Sequence, residues 1–167
     1  MLTAAAAAAV VFGTMIAEAI VAARNDRALR ARGAVEPRGD VYGVMQVAYP
    51  ACFAAILIEG AWRSAGPDAA AGTGAAIFGA AKALKYWAIA SLGSRWTFRV
   101  LVPPGSERTR RGPYRWMAHP NYVAVAGELI GAAVAMHALA TGPAAVAGFC
   151  VLMVRRVVIE EKALAGE

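Results

Sequence analysis

Five apolar stretches divide this chain, and they constrain its fold more than anything else in it. They cover residues 2–23, 41–62, 72–92, 122–140 and 142–158. Each approaches the length that carries a helix across a bilayer, about 20 residues at roughly 1.5 Å of rise for a hydrocarbon core of about 30 Å. The hydrophobic share, 59 %, exceeds that of an ordinary soluble domain. The expectation is an all-α, polytopic membrane protein of about five transmembrane helices. The stretches consume most of the 167 residues, so no room is left for a separate soluble domain. Residues 1–167 read as one unit, with three N-terminal spans in 1–92 and a loop, two spans and a tail in 93–167.

The net charge of +6 could suggest a nucleic-acid partner, but its distribution argues for a membrane instead. Arg24, Arg27, Arg30, Arg32 and Arg38 fill the first gap; Arg95, Arg99, Arg108, Arg110, Arg111 and Arg115 fill the third. The second gap carries only Arg63 and the fourth carries none. This alternation places the N-terminus outside and both arginine-rich loops and the C-terminus in the cytoplasm. Most of these arginines are read as topology signals in contact with lipid headgroups. The first stretch lacks a basic segment before it, which favours a retained helix over a signal peptide. Cys52 and Cys150 fall inside apolar stretches without metal-ligand spacing and read as small core residues.

Small residues recur every four positions, Ala75, Gly79 and Ala83 on the third stretch and Gly127 and Gly131 on the fourth, a pattern that lets helices approach closely in lipid. Gly142 and Pro143 make a tight turn, so the last two spans form an antiparallel hairpin. Lys82 and Lys85 lie three apart on one face of the third span. Charge at that depth needs a partner or a polar cavity, and pairing with Glu18, Glu59 or Glu128 ranks ahead of direct chemistry. Glu128 is read in the same way, as a structural partner. His137 reads as an interfacial histidine. Trp62, Trp87 and Trp96 read as interfacial or core residues.

The polar and aromatic residues concentrate elsewhere. Residues 112–122 read Gly-Pro-Tyr-Arg-Trp-Met-Ala-His-Pro-Asn-Tyr and run directly into the fourth span. The last span ends in Arg155-Arg156-Val157-Val158-Ile159-Glu160-Glu161, with Arg156 and Glu160 on one helical face. As a plain feature that spacing is a surface ion pair of little worth. With arginine first, it is also the less favourable order for an isolated helix.

Together, the ordered set Gly-Pro-Tyr-Arg-Trp-x-x-His-Pro-Asn-Tyr, a helical hairpin and Arg-x-x-x-Glu-Glu resembles the isoprenylcysteine carboxyl methyltransferase family of integral membrane enzymes. The similarity extends upstream through Leu84-Lys85 and 92–97. What the resemblance implies is methyl transfer from S-adenosylmethionine to an oxygen of a lipophilic acceptor drawn from the bilayer. Carried over by position, Tyr114, His119, Pro120, Asn121 and Tyr122 would form the cofactor pocket. Arg108 and Thr109 would add mostly backbone contacts, Glu160 would close the pocket, and Arg156 would face the acceptor. Ala118 stands where members of that family usually carry arginine. Aromatic faces and a carboxylate suit a sulfonium cation. A carboxylate acceptor would need no general base, whereas a phenol, with a pKa near 10, would.

Bacterial relatives of that family are associated with O-methylation of long-chain phenolic or pyrone lipids. The alanine- and arginine-rich, lysine-poor composition resembles that of a high-GC bacterium, so such a lipid stands beside an isoprenylcysteine as the expected acceptor. Two rival functions remain in view. Membrane sterol reductases, which use NADPH, share a similar His-Pro-Asn-Tyr loop but place an acid three positions after the tyrosine, where this chain has Val125. A small transporter could use Glu18, Glu59 and Glu128 as a proton relay. The concentration of polar residues at one cytoplasmic end favours the enzyme.

Overall fold

The computed structural model describes residues 2–37, 39–101 and 109–165, so Arg38 and Arg108 lie outside the described residues. Five helices follow one another: α1 (Leu2–Ala31), α2 (Tyr42–Trp62), α3 (Ala69–Leu92), α4 (Pro120–Ala135) and α5 (Thr141–Ala165). Two short 3-10 turns, Gly93–Arg95 and Gly112–Arg115, lie between α3 and α4. No β-strand forms among the described residues.

Three helices have both the length and the apolarity to cross a membrane, over Ala4–Ala31, Tyr42–Trp62 and Thr141–Lys162. α3 is long enough at 24 residues but carries Lys82 and Lys85. α4, with 16 residues, is shorter than the expected 122–140 because the backbone reverses at His137, which adopts a left-handed φ of 52°. Asp68 holds that histidine, with Oδ2 2.9 Å from His137 Nε2, while Oδ1 accepts from the Ala71 backbone and caps α3. Exposed Val10, Ile16, Ile20 and Val44 suit a lipid-facing surface.

α3 and α4 make the closest pair, through small residues. A Cβ added to Gly131 would meet the Phe78 backbone nitrogen at 2.5 Å, and one added to Gly127 would meet Ala81 at 3.0 Å. The ridge on α4 is therefore the expected one, but its partner is not. Gly74, Phe78 and Ala81 face α4, whereas Ala75, Gly79 and Ala83 point outward. The burial stripe that continues along α3 passes through Lys82, Lys85 and Ala88, and a four-residue repeat of small side chains cannot reveal which stripe that is. Gly142 sits against Ala133, where a Cβ would come within 2.6 Å, and this contact closes the α4–α5 hairpin. Phe53 and Ile56 of α2, Leu129 of α4 and Phe149 and Met153 of α5 fill the core between them.

Four buried charges, Glu18, Lys82, Lys85 and Glu128, form one cluster. Glu18 of α1 accepts from Lys82 Nζ at 2.6 Å and from Lys85 Nζ at 2.9 Å. Glu128 of α4 lies 3.2 Å from Lys82 Nζ and 3.0 Å from Lys85 Nζ. Tyr49 of α2 donates to Glu128 and accepts from Lys85 at 3.2 Å. Two cations and two carboxylates from three helices thus balance, and Lys85 and Glu128 are essentially inaccessible to solvent. Glu59 takes no part. Its carboxylate accepts from the backbone N–H groups of Ala140 and Thr141 and from the Thr141 hydroxyl, capping α5, and it pairs with Arg63 at 2.7 Å.

Candidate active site

The site lies at the end of the bundle where α1 and α3 finish and α4 begins. The segment leaving α3 is tied down by α1, whose Asn25 amide donates to the carbonyls of Gly93 at 3.2 Å and Trp96 at 2.8 Å. Trp96 is buried there against Phe98. Arg99 then reaches back to Glu36 at 2.7 Å and Asp26 at 3.5 Å, with its guanidinium 4.4 Å from the Tyr42 ring centroid. Arg30 shares Glu36 at 2.6 Å. Arg30 and Arg99 are therefore ion-paired with the protein, not given over to lipid headgroups as expected.

Further along, Gly112 turns the chain with φ +56°, and a Cβ at that position would land on Ser91 Oγ. Only glycine meets both demands. Gly112→Ala is expected to cost on the order of 1–2 kcal/mol from the left-handed backbone alone, with the collision in addition. A thermal midpoint in detergent equal to that of the wild type would show that the loop relaxes freely. Pro120 opens α4 and Pro113 is the second residue of its 3-10 turn, positions where a missing N–H costs nothing, and both are buried.

α5 runs unbroken through the tail, so its last turns lie beside the His119–Tyr122 corner. The Tyr122 hydroxyl donates to Glu160 Oε2 at 2.9 Å. His119 Nε2 is 3.0 Å from Glu161, and His119 Nδ1 is 3.7 Å from Glu160. The His119 and Tyr122 rings stack with centroids 5.4 Å apart. Tyr114 is half-buried close by, and burial, followed by the Glu160 charge, pushes its phenol up to about 12. It is a neutral hydrogen-bond donor at ordinary pH. Thr109, which accepts from Arg95, completes this group.

Arg156 and Glu160 share a helical face, but no Arg156–Glu160 ion pair forms among the described residues. Arg156 turns inward instead. It donates to the Phe98 carbonyl, lies 3.7 Å from Met45 Sδ, and has Asp40 at 3.9 Å. Its Nε is buried with no hydrogen-bond partner among the described residues, as is Oδ1 of Asn121.

Two cavities meet here. The first, about 480 Å³, is lined by Thr109, Tyr114, His119, Asn121, Tyr122, Arg156 and Glu160 among others. Pro120 is not on its wall. The second, about 610 Å³, runs between α1, α2 and α5 past Phe12, Met15, Tyr49 and Phe149. Thr97, Arg99, Asn121, Tyr122 and Arg156 belong to both. The sequence reading missed Thr97, the Phe98 carbonyl, Asp40, Met45 and the whole of the α1–α2 wall. Tyr42, Gln46 and Tyr49 carried a usable signal as polar side chains spaced along one face of an apolar span.

This arrangement defines a helical integral membrane protein in which a polar cavity at the helix ends opens onto an apolar one within the bundle. The model of the isoprenylcysteine carboxyl methyltransferase family matches residues 74–166, and the chain belongs to that family. Membership places it among membrane methyltransferases, a family whose members use S-adenosylmethionine as methyl donor. Among curated proteins, it is similar to the uncharacterized protein YpbQ of Bacillus subtilis, 32 % identical over 114 residues that make up 68 % of either chain. An uncharacterized protein of Haemophilus influenzae is 25 % identical over 145 residues, 86 % of this chain and 84 % of that one. No solved structure matches.

Proposed function

We propose that the protein transfers a methyl group from S-adenosylmethionine to an oxygen of a lipophilic acceptor, with the donor in the polar cavity and the acceptor in the apolar one. The observation that carries this reading is the shared wall, where Asn121, Tyr122 and Arg156 face both cavities. A reaction between a water-soluble and a lipid-soluble molecule needs just such a contact between two compartments. The polar cavity falls within the roughly 300–1,000 Å³ of small-ligand sites. Its residues suit the donor: aromatic faces at Tyr114 and Tyr122, a carboxylate at Glu160, and the unpartnered Asn121 Oδ1 as acceptor for an amine.

When bound, S-adenosylmethionine supplies an electrophilic methyl on a cationic sulfur. Glu160, held by the Tyr122 hydroxyl, offsets that cation. Arg156 orients the oxygen that receives the methyl, with Nε free to donate and the Phe98 carbonyl fixing the guanidinium. A buried guanidinium whose nearest carboxylate among the described residues stands 3.9 Å away suits an oxygen that arrives as an anion, such as a carboxylate. The arginine-rich ends of the helices lie at the cytoplasmic face of a bacterial membrane, with the N-terminus outside.

Calorimetric titration with S-adenosylhomocysteine and, separately, with NADPH tests the donor assignment. Binding of the homocysteine analogue is expected; binding of NADPH alone would make the protein a reductase. Glu160→Gln sharpens the test, because it is expected to weaken the cationic methyl donor more than its uncharged product. Equal losses for the two ligands would remove Glu160 from the sulfur's surroundings.

A further inference from the structure

The mechanism leaves unused a second set of polar groups on the wall of the apolar cavity: Gln46, Tyr49 and Lys85. Their depth follows from α2. The reacting end spans Tyr42 to Met45, since the Arg156 guanidinium lies 5.9 Å from the Tyr42 ring and 3.7 Å from Met45 Sδ. Gln46 follows Met45 directly, and Tyr49 lies four residues past Met45 and seven past Tyr42, about 6 Å and about 10 Å at roughly 1.5 Å per residue.

Lys85 has no spare capacity, since its ammonium serves Glu18, Glu128 and Tyr49. Tyr49 does. Its hydroxyl donates once, to Glu128, and accepts once, from Lys85, which leaves a lone pair free. The Gln46 amide makes no hydrogen bond among the described residues. Pro50, also on the cavity wall, has no N–H to give to the Gln46 carbonyl one turn before it. This stretch of an otherwise apolar slot thus offers a free acceptor at Tyr49 and free donors and acceptors at Gln46.

We propose that Gln46 and Tyr49 form a second polar subsite that reads a hydroxyl group of the acceptor, no more than about 10 Å deeper than the oxygen held by Arg156. The subsite rests on the reading that this cavity takes the acceptor. A hydroxyl alone satisfies both sides, donating to Tyr49 Oη and accepting from the Gln46 amide; a carbonyl could use only Gln46. A charged group does not fit, because the cluster behind Tyr49 already balances two cations against two carboxylates. The acceptor class is therefore a lipid with an anionic oxygen at one end and a neutral hydroxyl several bonds along its chain. Discrimination between acceptors resides in α2, which precedes the segment matched by the family model.

The test measures binding of two fatty acids, hexadecanoate and its derivative with a hydroxyl on the seventh carbon, to the full-length protein in one detergent. Each supplies a carboxylate for Arg156. The hydroxylated acid is expected to bind about three- to ten-fold tighter, the worth of one net hydrogen bond. In Gln46→Leu and Tyr49→Phe that preference should fall to near unity, and comparing ratios cancels any difference in micelle partition. Gln46 makes no hydrogen bond among the described residues, so Gln46→Leu decides the matter if Tyr49→Phe disturbs the charge cluster. An unchanged ratio in Gln46→Leu, with Arg156→Met still weakening both acids, overturns the subsite and leaves the acceptor cavity standing. If neither acid binds the wild type, or Arg156→Met has no effect, the reading of the cavity fails and the subsite fails with it.

Discussion

Lys85→Met is expected to be the most damaging single substitution in the bundle, lowering stability by about 3–5 kcal/mol. The lysine bridges Glu18 of α1 and Glu128 of α4, and both carboxylates stay buried when it is gone. Lys82 alone cannot neutralise two charges, and both carboxylates are at most 3 % exposed. For a chain of this size the loss corresponds to a fall of roughly 6–20 °C in the unfolding midpoint. The double variant Lys85→Met/Glu128→Leu restores the balance, with Lys82 still facing Glu18 at 2.6 Å, and should recover much of the loss. Thermal unfolding in one detergent compares the two. If the single variant unfolds like the wild type, the cluster is not what holds α1 to the bundle.

α1 depends on that cluster because it buries little else. Val11, Glu18, Ala22 and Leu29 form a narrow stripe along it, and most of its other residues are exposed. This could be read from the sequence only in part. The apolar lengths mark α2 and α3 closely, since lipid dictates both their composition and their extent. They stop short on α1, which continues to Ala31, because the residues after Ala23 are charged yet still good helix formers, and Leu29 remains buried. The pairing of lysines with glutamates was legible from charge at depth. The exclusion of Glu59 was legible too, for it lies one turn from the far end of α2, whereas Lys85 and Lys82 lie about two and three turns from the end of α3 at Leu92. The surroundings of Arg156 were not, because a backbone carbonyl and a thioether leave no pattern in a sequence. Asp40 was equally hidden, one of two acids in the loop between α1 and α2, with a role that depends on how 93–101 folds against it.

Arg156→Ala is expected to reduce kcat by about 100- to 1,000-fold, the usual cost of removing one positioned donor from a developing reaction centre. The fold should tolerate it. The partners released include the Phe98 carbonyl, the Met45 sulfur, Asp40 and the Tyr122 hydroxyl; Tyr122 keeps Glu160, and Asp40 keeps the backbone N–H groups of Tyr42 at 3.2 Å and Val100 at 3.3 Å. Binding of S-adenosylhomocysteine should change little, since Glu160, Tyr122 and His119 hold one another without Arg156. Arg156→Lys should not restore turnover: an ammonium cannot grip Phe98 and present a second donor in the fixed fork of a guanidinium. Steady-state kinetics with homocysteine-analogue binding on the same preparations separates the effects. A loss of donor binding would move Arg156 to the wall of the polar cavity alone, and full turnover in the alanine variant would leave the acceptor's oxygen without its proposed anchor.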